Sequence, residues 1–339
     1  PSRPKDRRSS GAPSGCAAMA TGGLRAAIEK DVVFGTAGEG GRELRCNVYR
    51  PPAEAPGFPT LPHGRRVGVL IIHGGAWMLG DRSQLDPFAK RLSRAGYVCV
   101  CNEYRLAGEA KWPAMLHDCK ACVRWMRANA EGLNISPDHI CVEGNSAGGH
   151  LALLVAGCDG GLYPELEGGG GNAGVPSGVA ACVSVYPPTE MARPRDTRQI
   201  RKMPWFSRTA SDRDFMLFSP LSYVRPTFPP CCLLHGNGDE LVSTRDVIRM
   251  YEELQHHGAH AELHIFGTAP HAFDADPTLG RDVVRLMGTF LDRIFRPEGS
   301  LWPIDPSKPS GKVSMGALGA QAAGLSGGGA SQAPKEAKL

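Results

Sequence analysis

The sequence lacks a long apolar run. No stretch approaches the roughly 18 consecutive apolar residues that a membrane-spanning helix needs, although 42% of the 339 residues are hydrophobic. It also lacks a strong charge of either sign, because the net charge is +4 and the basic residues are interspersed with acids. We therefore expect no membrane span and no nucleic-acid interface, but a chain that can bury a full core.

The cysteine patterns of a disulfide framework or a zinc site are also missing. The eleven cysteines are odd in number and scattered, which favours free thiols in a reducing compartment. Cys119 and Cys122 have metal-ligand spacing, but they fall inside a helical pattern over 114–129, and no second pair completes a site. We predict that these two are buried apolar side chains.

The two ends of the chain are poor in apolar residues and rich in small ones. Residues 1–23 lack the apolar centre of a secretory signal, so we expect a disordered segment, with an organellar transit peptide as the alternative. Residues 300–339 are predicted to form a flexible, low-complexity tail. The intervening residues 24–299 suit one large domain.

The tail closes on Ala337, Lys338 and Leu339, which resemble the C-terminal peroxisomal tripeptide with Ala in the first position. Such a signal is read by an import receptor that needs a free and flexible C-terminus. The sequence therefore predicts the peroxisomal import receptor as a partner. The alternative is a chance match in a cytoplasmic protein.

Short β-rich runs alternate with helical patterns along the chain, which predicts an α/β fold with a mostly parallel, doubly wound sheet of about eight strands. The run Val67–Ile72 is apolar throughout, as expected of a central strand. We predict Leu44–Tyr49 as an edge strand. The remaining predicted strands are Tyr97–Cys101, His139–Glu143, Val179–Val185, Cys231–Leu234 and Ala261–Phe266. The predicted helices are Leu85–Arg94, Ala114–Asn129, Ala147–Ala156, Thr244–His257 and Arg281–Phe295.

Two segments interrupt this alternation, a glycine-rich loop over 159–178 and a longer insertion over 187–223. Insertions at the carboxyl ends of strands stand over the ligand crevice of open α/β sheets. We predict that the longer insertion is a lid, and that Trp205 and Phe206 in it line a substrate pocket together with Trp77. The alternative is an ordinary surface excursion.

The segment Gly144–Gly149 has the GxSxG pattern between a predicted strand and a predicted helix. A nucleophile on a sharp turn needs small neighbours two residues before and after it, and Gly144 and Gly148 meet that need around Ser146. GxSxG alone is weak in a chain with 43 glycines. Its position between strand and helix makes Ser146 the candidate nucleophile.

A serine hydroxyl becomes nucleophilic when an imidazole accepts its proton and a carboxylate orients that imidazole. Asp239 follows a late apolar strand and is predicted to be the acid, with the adjacent Glu240 as the competitor. His271 follows the last strand and is predicted to be the base. Asp274 and Asp276 are predicted to cap the next helix.

The negative charge that develops on a reacting carbonyl oxygen needs hydrogen-bond donors held close to it. After the central strand, His73 is followed by Gly74, Gly75 and Ala76. The glycine amides are predicted to act with the amide of Ala147, and Ala76 stays an open alternative. His73 is predicted to hold the loop and not to transfer protons.

Together these motifs resemble the hormone-sensitive-lipase-like esterases of the α/β-hydrolase superfamily, over about Leu44–Phe295. The HGGAW form of the first motif is similar to the branch with feruloyl-esterase-like proteins and kynurenine formamidase. The motifs are His73–Trp77, Tyr104–Ala107, Gly144–Gly149, Gly236–Asp239 and Pro270–His271. Two positions depart from the pattern: Asn145 stands where many relatives have Asp, and Ala272 follows the histidine where Gly is commoner.

The resemblance implies an α/β-hydrolase fold, no metal and no organic cofactor. It implies a catalytic triad of Ser146, Asp239 and His271 and oxyanion donors from Gly74, Gly75 and Ala147. The expected activity is hydrolysis of small to medium carboxylic esters through an acyl-enzyme. An amidase such as an arylformamidase with the same triad, and a non-catalytic small-molecule-binding protein, are the alternatives.

Overall fold

The computed structural model describes residues 26–38, 40–52, 61, 63–158, 161–192 and 202–295. The predicted end segments, including the C-terminal tripeptide, lie outside the described residues, as does the part of the predicted lid over 193–201.

Strands and helices alternate through the described residues. The strands are β1 (Ala27–Thr36), β2 (Glu43–Arg50), β3 (Arg66–Ile72), β4 (Val98–Asn102), β5 (Ile135–Asn145), β6 (Ala181–Val185), β7 (Cys231–Gly236) and β8 (Ala261–Phe266). The helices are α1 (Asp86–Arg94), α2 (Ala114–Ala128), α3 (Ala130–Leu133), α4 (Ala147–Gly157), α5 (Asp212–Leu217), α6 (Thr244–His256) and α7 (Pro277–Phe295). Short 3-10 turns lie at Pro164–Leu166, Pro220–Tyr223 and Phe273–Ala275.

The eight strands form one sheet in the order β1-β2-β4-β3-β5-β6-β7-β8. From β4 to β8 in that order the neighbouring strands are parallel, whereas β1 and β2 are antiparallel to their neighbours. The predicted mostly parallel sheet is confirmed. β3 lies between β4 and β5, so the apolar run at Val67–Ile72 is a central strand, as predicted.

The prediction that Leu44–Tyr49 is an edge strand is wrong. β1 pairs along the outer side of β2, from Ala27 opposite Arg50 to Thr36 opposite Glu43. β1 buries one residue, Phe34. Its sequence therefore lacks the alternation of apolar and polar residues that would indicate a strand.

β1 itself is an irregular strand. Its pairing with β2 shifts register twice, between Glu29 and Val32 and between Val33 and Gly35. Asp31, inside the first shift, has a φ of 59°, in the left-handed region that side chains other than glycine rarely adopt. The outermost ladder of this edge is therefore interrupted.

Helices cover both faces of the sheet and build two apolar layers. Leu70 and Ile72 of β3 belong to a cluster that includes α2 and α4, whereas Val69 and Ile71 belong to a cluster that includes α1 and α7. Burying one such aliphatic side chain contributes about 1.5–3 kcal/mol. The central strand is thus packed from both sides, which fixes the position of its carboxyl end.

All ten cysteines within the described ranges are buried free thiols, including Cys119 and Cys122 in α2. No helix in that part of the chain is long and apolar enough to cross a bilayer.

Candidate active site

Ser146 lies on the sharp turn between β5 and α4. Its φ of 55° and ψ of −120° lie outside the ordinary helical and extended regions, a conformation that costs on the order of 1–3 kcal/mol. Its amide donates to the carbonyl of Val185 at 2.8 Å. The turn therefore holds the serine at the carboxyl end of the sheet.

Close packing around this turn explains its glycines. A Cβ on Gly144 would overlap the carbonyl of Gly148, and a Cβ on Gly148 would lie 2.6 Å from the carbonyl oxygen of His73 and closer still to that of Ile72. Both positions therefore need glycine for β3, β5 and α4 to meet.

Three predicted residues come together in one hydrogen-bonded series. Nε2 of His271 is 2.9 Å from Oγ of Ser146, and Nδ1 of His271 is 2.7 Å from Oδ2 of Asp239. In the tautomer that satisfies both contacts, Nδ1–H donates to the carboxylate and Nε2 accepts from the hydroxyl. Glu240, the competing acid, is exposed.

The carboxylate of Asp239 is fully buried and firmly held. Its Oδ1 accepts from the amides of Leu241 and Val242, both at 2.9 Å. Oδ2 also lies 3.2 Å from Nε2 of His235, a residue that the sequence analysis did not single out. Burial lowers the pKa of His235, so its neutral ring presents an Nε2–H to this carboxylate and to the carbonyl of Val242.

The loop after β3 has an unusual backbone path. Gly75, Ala76 and Trp77 all have positive φ, at 112°, 52° and 60°. The amides of Gly74, Gly75 and Ala147 donate to no carbonyl or side chain within the described part of the chain. These three residues line the same cavity as Ser146, so their amides are available to an oxygen there.

His73 lies beneath this loop and is nearly fully buried. Its ring stacks on Tyr104, with centroids 4.4 Å apart, and its Nδ1 lies 2.7 Å from the carbonyl oxygen of Gly74. The hydroxyl of Tyr104 donates to the carbonyl of His73 at 3.0 Å. Burial lowers the pKa of His73, so a neutral ring supports the loop.

A cavity of about 1260 Å³ opens above Ser146 and His271. Trp77 and Trp205 line it, as the sequence predicts. Phe206 is not among the lining residues. It packs instead against Phe215 and Phe218, at centroid distances of 4.7 and 5.0 Å, because the insertion needs an apolar core of its own.

Asp276 accepts hydrogen bonds from the amides of Thr278 and Leu279 and so caps α7, as predicted. The same prediction is wrong for Asp274. Its carboxylate turns towards the nucleophile turn, where it accepts from the side-chain amide of Asn145 and from the hydroxyl of Tyr186.

Burial raises the pKa of Asp274, and it raises the pKa of the neighbouring Glu143 well above its usual range. The ring of Tyr186 lies 4.6 Å from that of His271. Asn145, which departs from the family pattern, is thus hydrogen-bonded to Asp274 in a group that also contains Tyr186 and lies beside the imidazole of His271. Spacing along the chain does not indicate this group.

One group in the described chain has metal-ligand chemistry. Ligand atoms of Cys232, Glu262 and His264 lie within 4.8 Å of one another on β7 and β8. Arg293 already pairs with Glu262, and burial raises the pKa of the Cys232 thiol. A resident guanidinium and a protonated thiol both disfavour a metal ion at this place.

Comparison with known proteins places these features in context. The family model described as BD-FAE matches residues 58–254, more than half of the chain. The chain is 32% identical over 286 residues to "Esterase LipQ" of Mycobacterium tuberculosis, covering 80% of this chain and 63% of the relative. It is 29% identical over 227 residues to "Probable carboxylic ester hydrolase LipM" of the same organism, covering 64% and 50%. The chain thus spans between half and two thirds of the length of these curated relatives.

Among solved structures, a thermophilic esterase of Thermogutta terrifontis, Est2, matches with a TM-score of 0.67 at 24% identity. The match covers 81% of this chain and 95% of that one. At this identity the likeness concerns the fold.

Proposed function

The chain belongs to the BD-FAE family, among the hormone-sensitive-lipase-like esterases of the α/β-hydrolase superfamily, and from that premise we propose that it hydrolyses carboxylic esters through an acyl-enzyme on Ser146. One observation carries the proposal. The series from Asp239 through His271 to Ser146 opens on a cavity that is also lined by three residues whose amides have no hydrogen-bond acceptor among the described residues.

In the proposed reaction, Oγ of Ser146 attacks the acyl carbon while Nε2 of His271 takes its proton. Asp239 keeps Nδ1–H in the tautomer that leaves Nε2 free to accept, and it stabilises the positive imidazole that forms. The imidazole then gives the proton to the leaving alcohol. Water releases the acyl group by the same proton route.

The amides of Gly74, Gly75 and Ala147 are the proposed donors to the carbonyl oxygen as it becomes negative. Losing one such donor typically costs about 2.7–4 kcal/mol of transition-state stabilisation. The positive φ of Gly75 and the place of all three residues in the cavity lining support this assignment.

We propose that residues 24–299 form the catalytic domain and that the insertion over 187–223 roofs the cavity. Its described parts contribute Pro188, Met191, Met203 and Trp205 to the lining. The cavity of about 1260 Å³ exceeds the roughly 300–1000 Å³ of common ligand pockets, so it has room for the small to medium ester substrates that we propose.

Hydrolysis of 4-nitrophenyl butyrate and labelling by a fluorophosphonate probe test the proposal. We expect both with the full chain, and neither with Ser146→Ala, whose fold is checked by circular dichroism. A folded protein that is neither labelled nor active on any 4-nitrophenyl ester would refute it. Labelling with activity on aryl formamides alone would move the proposal to the amidase alternative.

We also propose peroxisomal import through Ala337–Leu339, supported by the likeness of these residues to the tripeptide signal. The last twelve residues fused to a fluorescent protein are expected to produce punctate fluorescence at peroxisomes. Diffuse fluorescence that is unchanged when Leu339 is deleted would reduce the match to coincidence.

A further inference from the structure

The charged side chains that line the cavity differ in whether they have a hydrogen-bond or ion-pair partner. Glu190 accepts from Arg249 at 2.6 Å, Asp274 accepts from two neighbours, and Asp246 is also engaged. Arg91 is the exception, because its guanidinium has no hydrogen-bond or ion-pair partner anywhere in the described ranges.

Arg91 lies in the last turn of α1 and is partly buried. The nearest acid on its own helix, Asp86, is 3.2 Å from the ammonium of Lys90. One guanidinium nitrogen of Arg91 lies 3.4 Å from where a Cβ of Gly280 would stand, in the first turn of α7. The guanidinium therefore lies between two helices at the cavity wall, and no carboxylate of the described residues pairs with it.

The connection that leads to Arg91 lines the cavity mainly with apolar side chains, and Gln84 is its polar member. Leu79, Leu85 and Phe88 line the same cavity, and the chain from Gly75 to Arg91 is one continuous connection between β3 and the end of α1. The part of the cavity wall that carries Arg91 thus continues into the loop after β3, which holds the proposed oxyanion donors Gly74 and Gly75. The described parts of the insertion over 187–223 contribute the apolar side chains of Met191, Met203 and Trp205 to the same cavity, together with Glu190, which is paired with Arg249.

We propose that Arg91 binds an anionic group of the substrate, and that the preferred substrates are esters with a carboxylate remote from the scissile bond and an apolar group elsewhere. A guanidinium presents a planar fork of donors that matches a carboxylate. Partial burial among apolar side chains strengthens such a pair, because little water competes for it. This inference rests on the proposed esterase activity.

Two matched substrate pairs test it. In the first pair the charge is on the acyl side, in 4-nitrophenyl hydrogen adipate compared with neutral 4-nitrophenyl hexanoate. In the second pair it is on the alcohol side, in 4-acetoxybenzoate compared with its methyl ester. Either the acyl or the alcohol part of a substrate can lie over α1, so a response in one pair is enough.

Arg91→Gln is expected to lower kcat/KM for the charged member of one pair by about 10- to 100-fold, the range for a charge-assisted hydrogen-bonded pair. The neutral members should change by less than about 3-fold, because the rest of the wall is unaltered. Arg91→Lys should retain part of the preference. Arg94→Gln, on an exposed residue of the same helix, should leave both ratios unchanged. High salt should narrow the wild-type ratio.

The outcomes separate the two proposals. Wild-type protein that hydrolyses the neutral esters, with ratios that Arg91→Gln leaves unchanged in both pairs, overturns the anion site and leaves the esterase proposal standing. Wild-type protein that hydrolyses neither member and is not labelled at Ser146 overturns the esterase proposal.

Discussion

Replacing Gly148 by alanine tests whether the turn at Ser146 depends on the close approach of α4 to β3. The new Cβ would lie 2.6 Å from the carbonyl oxygen of His73, where ordinary contact begins at 3.4 Å, and it would be closer still to the carbonyl oxygen of Ile72. Both obstacles are backbone atoms that cannot rotate away. Either the end of β3 or the start of α4 must therefore move by about 1 Å.

Two opposing effects set the expected magnitude. Overpacking of this kind costs about 3 kcal/mol, the upper part of the usual range, because backbone must shift. Alanine returns about 1 kcal/mol through its higher helix propensity. The net loss of about 2 kcal/mol corresponds to a fall in Tm of about 4–8 °C for a domain of this size. A displacement of about 1 Å at the nucleophile should also lower kcat/KM about 100-fold.

Thermal unfolding followed by circular dichroism, and 4-nitrophenyl butyrate hydrolysis well below Tm, measure the two effects separately. Gly288→Ala is the matched control, since Gly288 lies inside α7 and a Cβ there meets nothing within 4 Å. The control should keep full activity and gain stability. A Gly148→Ala protein with wild-type Tm and kcat/KM would show that our reasoning about this contact is wrong.

Three further predictions follow from particular contacts. Asp239→Asn should lower kcat by about 10⁴-fold, because its amide group would favour the wrong imidazole tautomer, whereas Glu240→Gln should change kcat little; equal effects would contradict the assignment. Burial lowers the pKa of His150 to about 3, so the unfolded chain binds a proton below about pH 6.5 that the folded protein does not. Stability should therefore fall by about 2 kcal/mol from pH 7 to pH 5 on account of this residue, and urea unfolding of His150→Asn should show a correspondingly shallower pH dependence. Lys120→Ala should cost about 1–3 kcal/mol in urea unfolding, because it removes the ammonium that pairs with Glu167 at 2.7 Å and leaves the buried carbonyl of Cys158 without its donor. A loss well below about 1 kcal/mol would argue against these contacts.

The parts of the fold with strong apolar patterns could be predicted from the sequence. Val67–Ile72 is buried on both faces and reads as a continuous apolar run, so its central place was predictable. β1 contributes one buried residue and carries Glu29, Lys30 and Asp31 in succession, which gives no period of two. Because β1 has no such pattern, the sequence predicts the edge position for β2, the next strand along the chain.

The candidate site was predictable where chain order and turn chemistry determine it. Ser146, Asp239 and His271 each follow the carboxyl end of a strand, and these ends meet at one edge of a parallel sheet. The role of Asp274 is not predictable, because a carboxylate just before a helix resembles a cap. Arg91 gave no signal, because a basic residue in the last turn of a helix already suits the helix dipole.

The irregular pairing of β1 has a consequence for how copies of this chain meet one another. The outer strand of an open sheet presents unpaired amides and carbonyls on which a second molecule can add its own strand, a common route to aggregation. Two register shifts and the left-handed Asp31 break that ladder, and the charged side chains at its start must be desolvated before anything docks there. The features that conceal β1 in the sequence thus also make it a poor template for association between molecules.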